Sequence, residues 1–369
     1  MNSRSDALTQ LMDDRDLAGV AVCAAENVAF FARTHLITQT IVPDRLAFFI
    51  ATRDGRSALL VSDIEEALAR RQSSIDDIRV YVEFIEQPAR TAGEIIRSLG
   101  VERGRIGVDA RRMSYATAEA LQAALPETTL HGVDDDLEAI QMIKSAEMVD
   151  ELAASARATQ RAIEAAVAGC SPGASERDIT SLVAGEIARS GGILYFLVFG
   201  SGQGSLVSHL EADSRIMEEG EIFRIDVGAR FPSGFLSDLG RSGVIGKPSR
   251  FQSETLHALR ECQQAVFDVI EPGRAVKDLY SACKQAFADA KLPFTMPHVG
   301  HGLGVALHEK PRLHPNNETR LAAGMVLNVE PLALLSDRGE GYFTEDLVLV
   351  TEDGHEVLTS PQEELLELG

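Results

Sequence analysis

Two acids stand where a strand would bury them. Asp226 lies inside Phe223-Arg224-Ile225-Asp226-Val227, and Glu330 closes Met325-Val326-Leu327-Asn328-Val329-Glu330. A carboxylate on an apolar strand is costly unless it is paired or coordinated. An edge strand with its acid facing water would account for either one alone. It accounts poorly for the whole set, because Glu345-Asp346 leads into Leu347-Val348-Leu349-Val350 and Asp238 follows Gly234-Phe235-Leu236-Ser237. The Asp226 and Asp238 segments flank Pro232-Ser233-Gly234 and read as a β-hairpin. The pattern points to inward-facing ligands.

Histidine placement points the same way. Of nine histidines, His298, His301 and His308 fall within eleven positions of the glycine-containing segment Met296-Pro297-His298-Val299-Gly300-His301-Gly302-Leu303-Gly304. Clustered imidazoles flanked by glycines, which let backbone approach a site, are a ligand signal.

Bulk properties set the frame. At 369 residues the chain exceeds the size at which a single core keeps growing, so two domains are expected. A hydrophobic share of 45% and a charged share of 25% are those of a globular protein. A formal charge of -21, with no basic patch, argues against nucleic acid and against an anionic membrane surface as partners. No stretch approaches the ~18 apolar residues of a spanning helix, and the expected setting is cytoplasmic. Cys23, Cys170, Cys262 and Cys283 are far apart, form no CxxC pair and read as buried free thiols.

From Val20 to about Val133, short apolar runs alternate with amphipathic helical stretches, an α/β layer pattern. Asp54-Gly55 separates two of these runs at hairpin distance, so the sheet is expected to be mixed. Asp134 to Gly169 reads as one long helical region handing the chain to a second domain. Beyond the Pro172-Gly173 break, Ser175 and Asp178 predict an N-cap and acidic first turn for a helix ending near Arg189. Helices at about 253–270 and 276–290 then precede a strand-rich stretch, 294–360. The expected domains are 1–135 and 136–369.

These segments together resemble the pita-bread metallopeptidases, which include methionine aminopeptidase, aminopeptidase P and prolidase. Glu219 to Gly228 followed by Ser237-Asp238-Leu239-Gly240-Arg241 is similar to the family's two-aspartate hairpin. Gly300-His301-Gly302-Leu303-Gly304, with His308-Glu309-Lys310-Pro311, resembles its histidine motif. Gly324 to Pro331 and Thr344-Glu345-Asp346 resemble its two glutamate motifs, and the helical lead-in from Ile143 extends the likeness over roughly 140–360. The N-terminal segment resembles more loosely the smaller domain of the creatinase, prolidase and aminopeptidase P branch.

The resemblance implies an α+β fold, with a C-terminal pita-bread catalytic domain preceded by a smaller α/β creatinase-type domain. It implies two divalent metal ions, Mn foremost with Co, Zn or Fe as alternatives, held by Asp226, Asp238, His301, Glu330 and Glu345. Asp226 would serve one ion, His301 and Glu330 the other, and Asp238 with Glu345 would bridge them. Two such ions ~4 Å apart share a water and lower its pKa. Glu330 would shuttle the proton. His209 and His308 would act on the substrate side as oxyanion donors, each worth ~3 kcal/mol when well placed. A homodimer is also implied, with Arg33, beside Phe31 and His35, reaching a neighbouring active site.

Three departures bear on the substrate. The aspartates stand twelve positions apart, one more than the family usually keeps, which places an extra residue in the 230–234 turn. His298 precedes His301 by three residues, where proline-specific members generally keep four. After Glu330 the chain reads Pro331-Leu332-Ala333-Leu334 rather than Pro-Gly-aromatic, leaving Arg320 and Arg312 as candidates for a dipeptide's carboxylate. The leading expectation is a metallopeptidase acting on Xaa-Pro substrates, as an aminopeptidase or dipeptidase. The alternatives are a metal-dependent hydrolase or lyase of a non-peptide small molecule, of the ectoine hydrolase or sulfoniopropionate lyase kind, and a non-catalytic binding module of the same fold.

Overall fold

A computed structural model describes residues 4–42 and 44–369. The chain divides into two compact units, Met1–Gln141 and Met142–Gly369.

The first unit is built on one six-stranded mixed sheet, with β1 (Gly19–Val22), β2 (Phe48–Thr52), β3 (Ser57–Ser62), β4 (Ile78–Tyr81), β5 (Gly104–Val108) and β6 (Thr128–Gly132) in the order β4-β3-β2-β1-β5-β6. β2 and β3 are antiparallel about the Asp54-Gly55 turn, where Gly55 takes a φ of 86°. β1 with β2 is also antiparallel, whereas β3 with β4, β1 with β5 and β5 with β6 are parallel, joined through helical crossovers. Phe31, set by the resemblance beside Arg33 as a residue near a neighbouring active site, is buried in helix Ala25–Ala32 and stacked on Phe49. Arg33 caps that helix in the left-handed conformation, at a φ of 53°.

In the second unit the long helical region is interrupted. Helix Asp134–Met142 ends, Ile143 bridges to Met325, the Lys144 amide donates to the Gly324 carbonyl, and Ser145 caps a new helix, Ala146–Gly169. Helix-forming composition is overridden here by a short strand-like contact and a serine whose side chain accepts the Met148 amide. Ser175 and Asp178 form a full capping box on helix Glu176–Arg189, and Ser249 and Gln252 do the same for Arg250–Phe267. Helix Val276–Ala290 follows.

These helices back two sheets. The helices Ala146–Gly169 and Glu176–Arg189 pack on the sheet β17-β9-β8-β7, made of β7 (Ile193–Ser201), β8 (Ile222–Arg230), β9 (Leu236–Ile245) and β17 (Leu366–Leu368). The later helix pair packs on the sheet β11-β10-β12-β15-β16, made of β10 (Gly300–Gly302), β11 (Glu309–Arg312), β12 (Val326–Val329), β15 (Asp346–Val350) and β16 (His355–Val357). A hairpin, β13 (Leu332–Leu335) with β14 (Glu340–Phe343), lies between β12 and β15 in sequence.

Strand alternation decides which side chains face the helices. On β8, Phe223, Ile225, Val227 and Ala229 enter the helix-backed core, so Arg224, Asp226 and Gly228 face the other way. On β12, Leu327 and Val329 enter the second core, which turns Asn328 to the opposite face. The β8–β9 ladder runs without a bulge from Ile222 to Arg230, so the extra residue of the hairpin is taken up in the 231–235 turn. Across that ladder each aspartate meets a glycine, Asp226 opposite Gly240 and Asp238 opposite Gly228. A methyl on Gly240 would fall 1.9 Å from the Phe343 ring, and one on Gly228 would fall 2.1 Å from the Phe196 ring.

Gly240→Ala is therefore expected to destabilise the second unit by about 2 kcal/mol through overpacking. Gly169→Ala, at a helix end with open space around it, is expected to be neutral. Denaturant midpoints for the two variants check the contrast.

Candidate metal centre

The outward parity of both sheets converges on one cluster. β8 contributes Asp226 and β9 contributes Asp238. β10 contributes His301, directly opposite Asn328 of β12 and so on the same face. Glu330 continues that face two residues beyond Asn328, and Glu345 stands immediately before β15. The Glu345 amide donates to the Gly240 carbonyl at 3.2 Å, joining the two sheets where the ligands meet.

Three sets of side-chain ligand atoms lie within 4.8 Å of one another: Asp226, Asp238 and Glu345; His301, Glu330 and Glu345; and Asp238, His301 and His308. Glu345, Asp238 and His301 each belong to two sets, and Glu345 and Asp238 are the members that the Asp226 set shares with the two sets holding His301. His301 Nε2 is 3.5 Å from Asp238 Oδ2 and 3.6 Å from Glu330 Oε1. Its Nδ1 lies 3.0 Å from the Gly302 carbonyl, which can only accept. The proton is thus on Nδ1, and the Nε2 lone pair faces the acids. Asn328 Nδ2 donates to Glu345 Oε1 at 2.8 Å and to the Asp238 carbonyl at 3.2 Å. Buried Arg241 binds the Glu345 carbonyl and Asp346, fixing the backbone that carries Glu345.

Among the described residues, Asp226 Oδ1, His298 Nδ1, His301 Nε2, Glu330 Oε1 and Glu345 Oε2 find no hydrogen-bond partner within this space. Buried polar atoms are nearly always satisfied. Four converging acids with one imidazole are a hard, largely oxygen donor set, and the free atoms fit divalent cations. The electrostatics of the chain alone say the same. Burial and then the Glu330 charge push the Asp226 carboxyl up to about 7, against the opposing pull of Arg224. Burial and neighbouring carboxylates raise Asp238 and Glu345 well above the carboxylate range. Glu330 also suffers burial, but His298, His301 and His308 around it more than offset this and hold it below its ordinary value. Burial lowers His301, and burial with the His301 charge brings His308 down to about 4.

The remaining candidates separate. His308 is exposed but stacks on His301, with ring centroids 3.8 Å apart. His298 reaches the cluster, its Nδ1 being 3.3 Å from Glu330 Oε1. His209 stands on an exposed turn after Val207, whose carbonyl is held by buried Arg224. Arg320 is exposed and donates to the Gly273 carbonyl. Arg312, in contrast, pairs with His301 in the β10–β11 ladder, and its charge is felt by both His301 and His308. Arg33 belongs to the first unit. Sequence reasoning gave no role to Asn328, Arg241 or Arg224. The alternation that marked Glu330 also marks Asn328, two residues earlier on the same strand face.

The family model described as Metallopeptidase family M24 matches residues 150–352, and that of the Creatinase/Prolidase N-terminal domain matches residues 4–143. The Xaa-Pro dipeptidase of Pyrococcus furiosus is 26% identical over 372 residues, covering 99% of this chain and 100% of the relative. The Xaa-Pro dipeptidase of Pyrococcus horikoshii is 27% identical, covering 99% of each. Among solved structures, X-Pro aminopeptidase from Thermotoga maritima superposes with a TM-score of 0.87 at 21% identity, over 99% of both chains. The fold is thus the α+β pita-bread domain preceded by a creatinase-type N-terminal domain. No helix among the described residues is long and apolar enough to cross a membrane.

A carboxyl whose pKa is raised by folding keeps its proton longer in the native state than in the unfolded one. For Asp226 the contribution is fully present below its ordinary 3.8 and is lost as pH rises through about 7. Metal-free protein is therefore expected to lose thermal stability as pH rises through neutrality. Saturating Mn²⁺ should abolish that loss, and Asp226→Asn should flatten it. Thermal melts across pH, with and without metal, check this; a metal-free stability that rises through neutrality would contradict it.

Proposed function

The chain belongs to metallopeptidase family M24, and from that premise we propose that it cleaves the bond between Xaa and Pro in short peptides, using two divalent metal ions. One observation carries the reading: relatives named Xaa-Pro dipeptidase align with this chain end to end, and all five acid and imidazole positions of the expected centre face one cluster.

Asp226 would hold one ion, His301 and Glu330 the other, and Asp238 with Glu345 both. That Asp238 and Glu345 each join the Asp226 set to a set holding His301 supports their bridging role. Charge supports the count, since two divalent cations neutralise the carboxylates of Asp226, Asp238, Glu330 and Glu345 while His301 stays neutral. Bound there, the ions would supply Lewis-acid polarisation of the scissile carbonyl and a water acidic enough to attack near neutral pH.

The chain's own groups do the rest. Glu330, the one acid of the four held below its ordinary value, accepts the proton of the attacking water and passes it to the leaving proline nitrogen. His298, its Nδ1 3.3 Å from Glu330 Oε1, stands beside that carboxylate on the substrate side. His308, neutral because its pKa is pushed down to about 4, offers an N–H to the developing oxyanion without adding charge. For a substrate carboxylate this reading takes Arg312, paired with His301 in the β10–β11 ladder, over Arg320, which donates to the Gly273 carbonyl. His209 belongs to the same substrate side, on the turn that Arg224 holds through the Ser205 and Val207 carbonyls. Manganese as the native metal, a homodimeric assembly and a cytoplasmic setting complete the proposal.

Manganese-loaded protein is expected to hydrolyse Xaa-Pro dipeptides and longer Xaa-Pro peptides, followed by release of the free N-terminal residue. Glu330→Gln should lower kcat by about a thousand-fold, and His308→Ala by about a hundred-fold with little change in KM. Two bound metals without turnover of any Xaa-Pro substrate would sink the peptidase reading.

A further inference from the structure

Lys144 and Glu309 form an ion pair shut away from solvent, with side chains 1% and 4% exposed and Nζ 2.6 Å from Oε2. Removing two full charges from water costs several kcal/mol per ion, and their attraction repays this only with good geometry. Such a pair is a weak source of stability, and its neighbourhood suggests another use.

Glu309 directly follows His308 and opens β11. Its Oε1 accepts the Ala306 amide at 3.2 Å, while Oε2 takes Lys144. The Gly304 amide donates to the Ala306 carbonyl at 3.2 Å, and the Gly304 carbonyl accepts the Leu236 amide at 2.9 Å. A methyl on Gly304 would fall 2.2 Å from the Glu309 carboxylate, so any side chain there would displace that carboxylate from its partners. The carboxylate is the hub about which the segment from His301 to His308 turns.

Lys144 is anchored in its own right. Its amide donates to the Gly324 carbonyl at 2.8 Å, and its neighbour Ile143 bridges to Met325. Met325 leads straight into β12 and so to Glu330. The pair thereby ties the loop carrying His308 to the strand leading to Glu330. His308 itself is exposed, with its ring resting on His301, so the direction of its N–H depends on how that loop is held.

We propose that Lys144, acting through Glu309, is a positioning residue for His308 that touches neither substrate nor metal. The proposal rests on the oxyanion role given to His308 above. A donor displaced by about 1 Å can lose on the order of a hundred-fold in rate.

A double-mutant cycle on the full-length, manganese-loaded enzyme tests it, with kcat and KM on an Xaa-Pro dipeptide, bound-metal stoichiometry and circular dichroism at the assay temperature. Lys144→Met should lower kcat by about ten- to a hundred-fold, with KM and metal content unchanged, and should cost nothing further in the His308→Ala background. If Lys144→Met does not fold, the milder Glu309→Gln enters the same cycle, with a smaller loss and the same non-additivity expected. Equal losses in both backgrounds, or a folded variant with full kcat, would overturn the proposal while leaving the role of His308 intact. Full kcat in His308→Ala alone would instead remove that role, and the positioning proposal with it.

Discussion

The cost of burying Asp226, Asp238, Glu330 and Glu345 together is the constraint on which the rest of the second unit depends. Like charges in a low-dielectric space cannot all stay ionised without counter-charge. The chain alone answers by holding protons on Asp226, Asp238 and Glu345 well above the usual carboxylate range. The surrounding architecture nevertheless keeps the acids converged. Glycines stand opposite both aspartates, Asn328 spans the two sheets, Arg241 fixes the backbone at Glu345, and His301 is held in the tautomer that turns its lone pair inward. A structure that fixes its acids this way is organised for cations.

The same electrostatics divide labour among groups of similar chemistry. Glu330 differs from the other acids because three histidines stand around it, and its carboxyl is held below its ordinary value where theirs are raised. His308 differs from an ordinary surface histidine because burial and His301 hold it neutral. A charged base and a neutral donor are what the proposed hydrolysis of a peptide bond calls for. Neither property belongs to the residue types themselves; both come from placement at the junction of two sheets.

Much of this was legible in the sequence, for a physical reason. An acid on an apolar strand conflicts locally with burial, and such conflicts mark functional positions. Asp226 and Glu330 announced themselves in this way, and the caps at Ser175 and the turn at Gly55 followed from local chemistry. What escaped depended on contacts between distant segments. The break at 143–145 is made by Gly324 and Met325, far along the chain. Arg312 and Arg320 are alike in sequence, and only the β10–β11 register places Arg312 beside His301. The burial of Phe31 likewise rests on its stacking with Phe49 of another segment.

The central claim is that five side chains from two sheets form one dinuclear centre. Anomalous diffraction at the manganese edge, from crystals grown with Mn²⁺, tests it most directly. The account predicts two peaks, one bound by Asp226 and the other by His301 and Glu330, with Asp238 and Glu345 reaching both. A single peak, or ions bound away from these side chains, would contradict it.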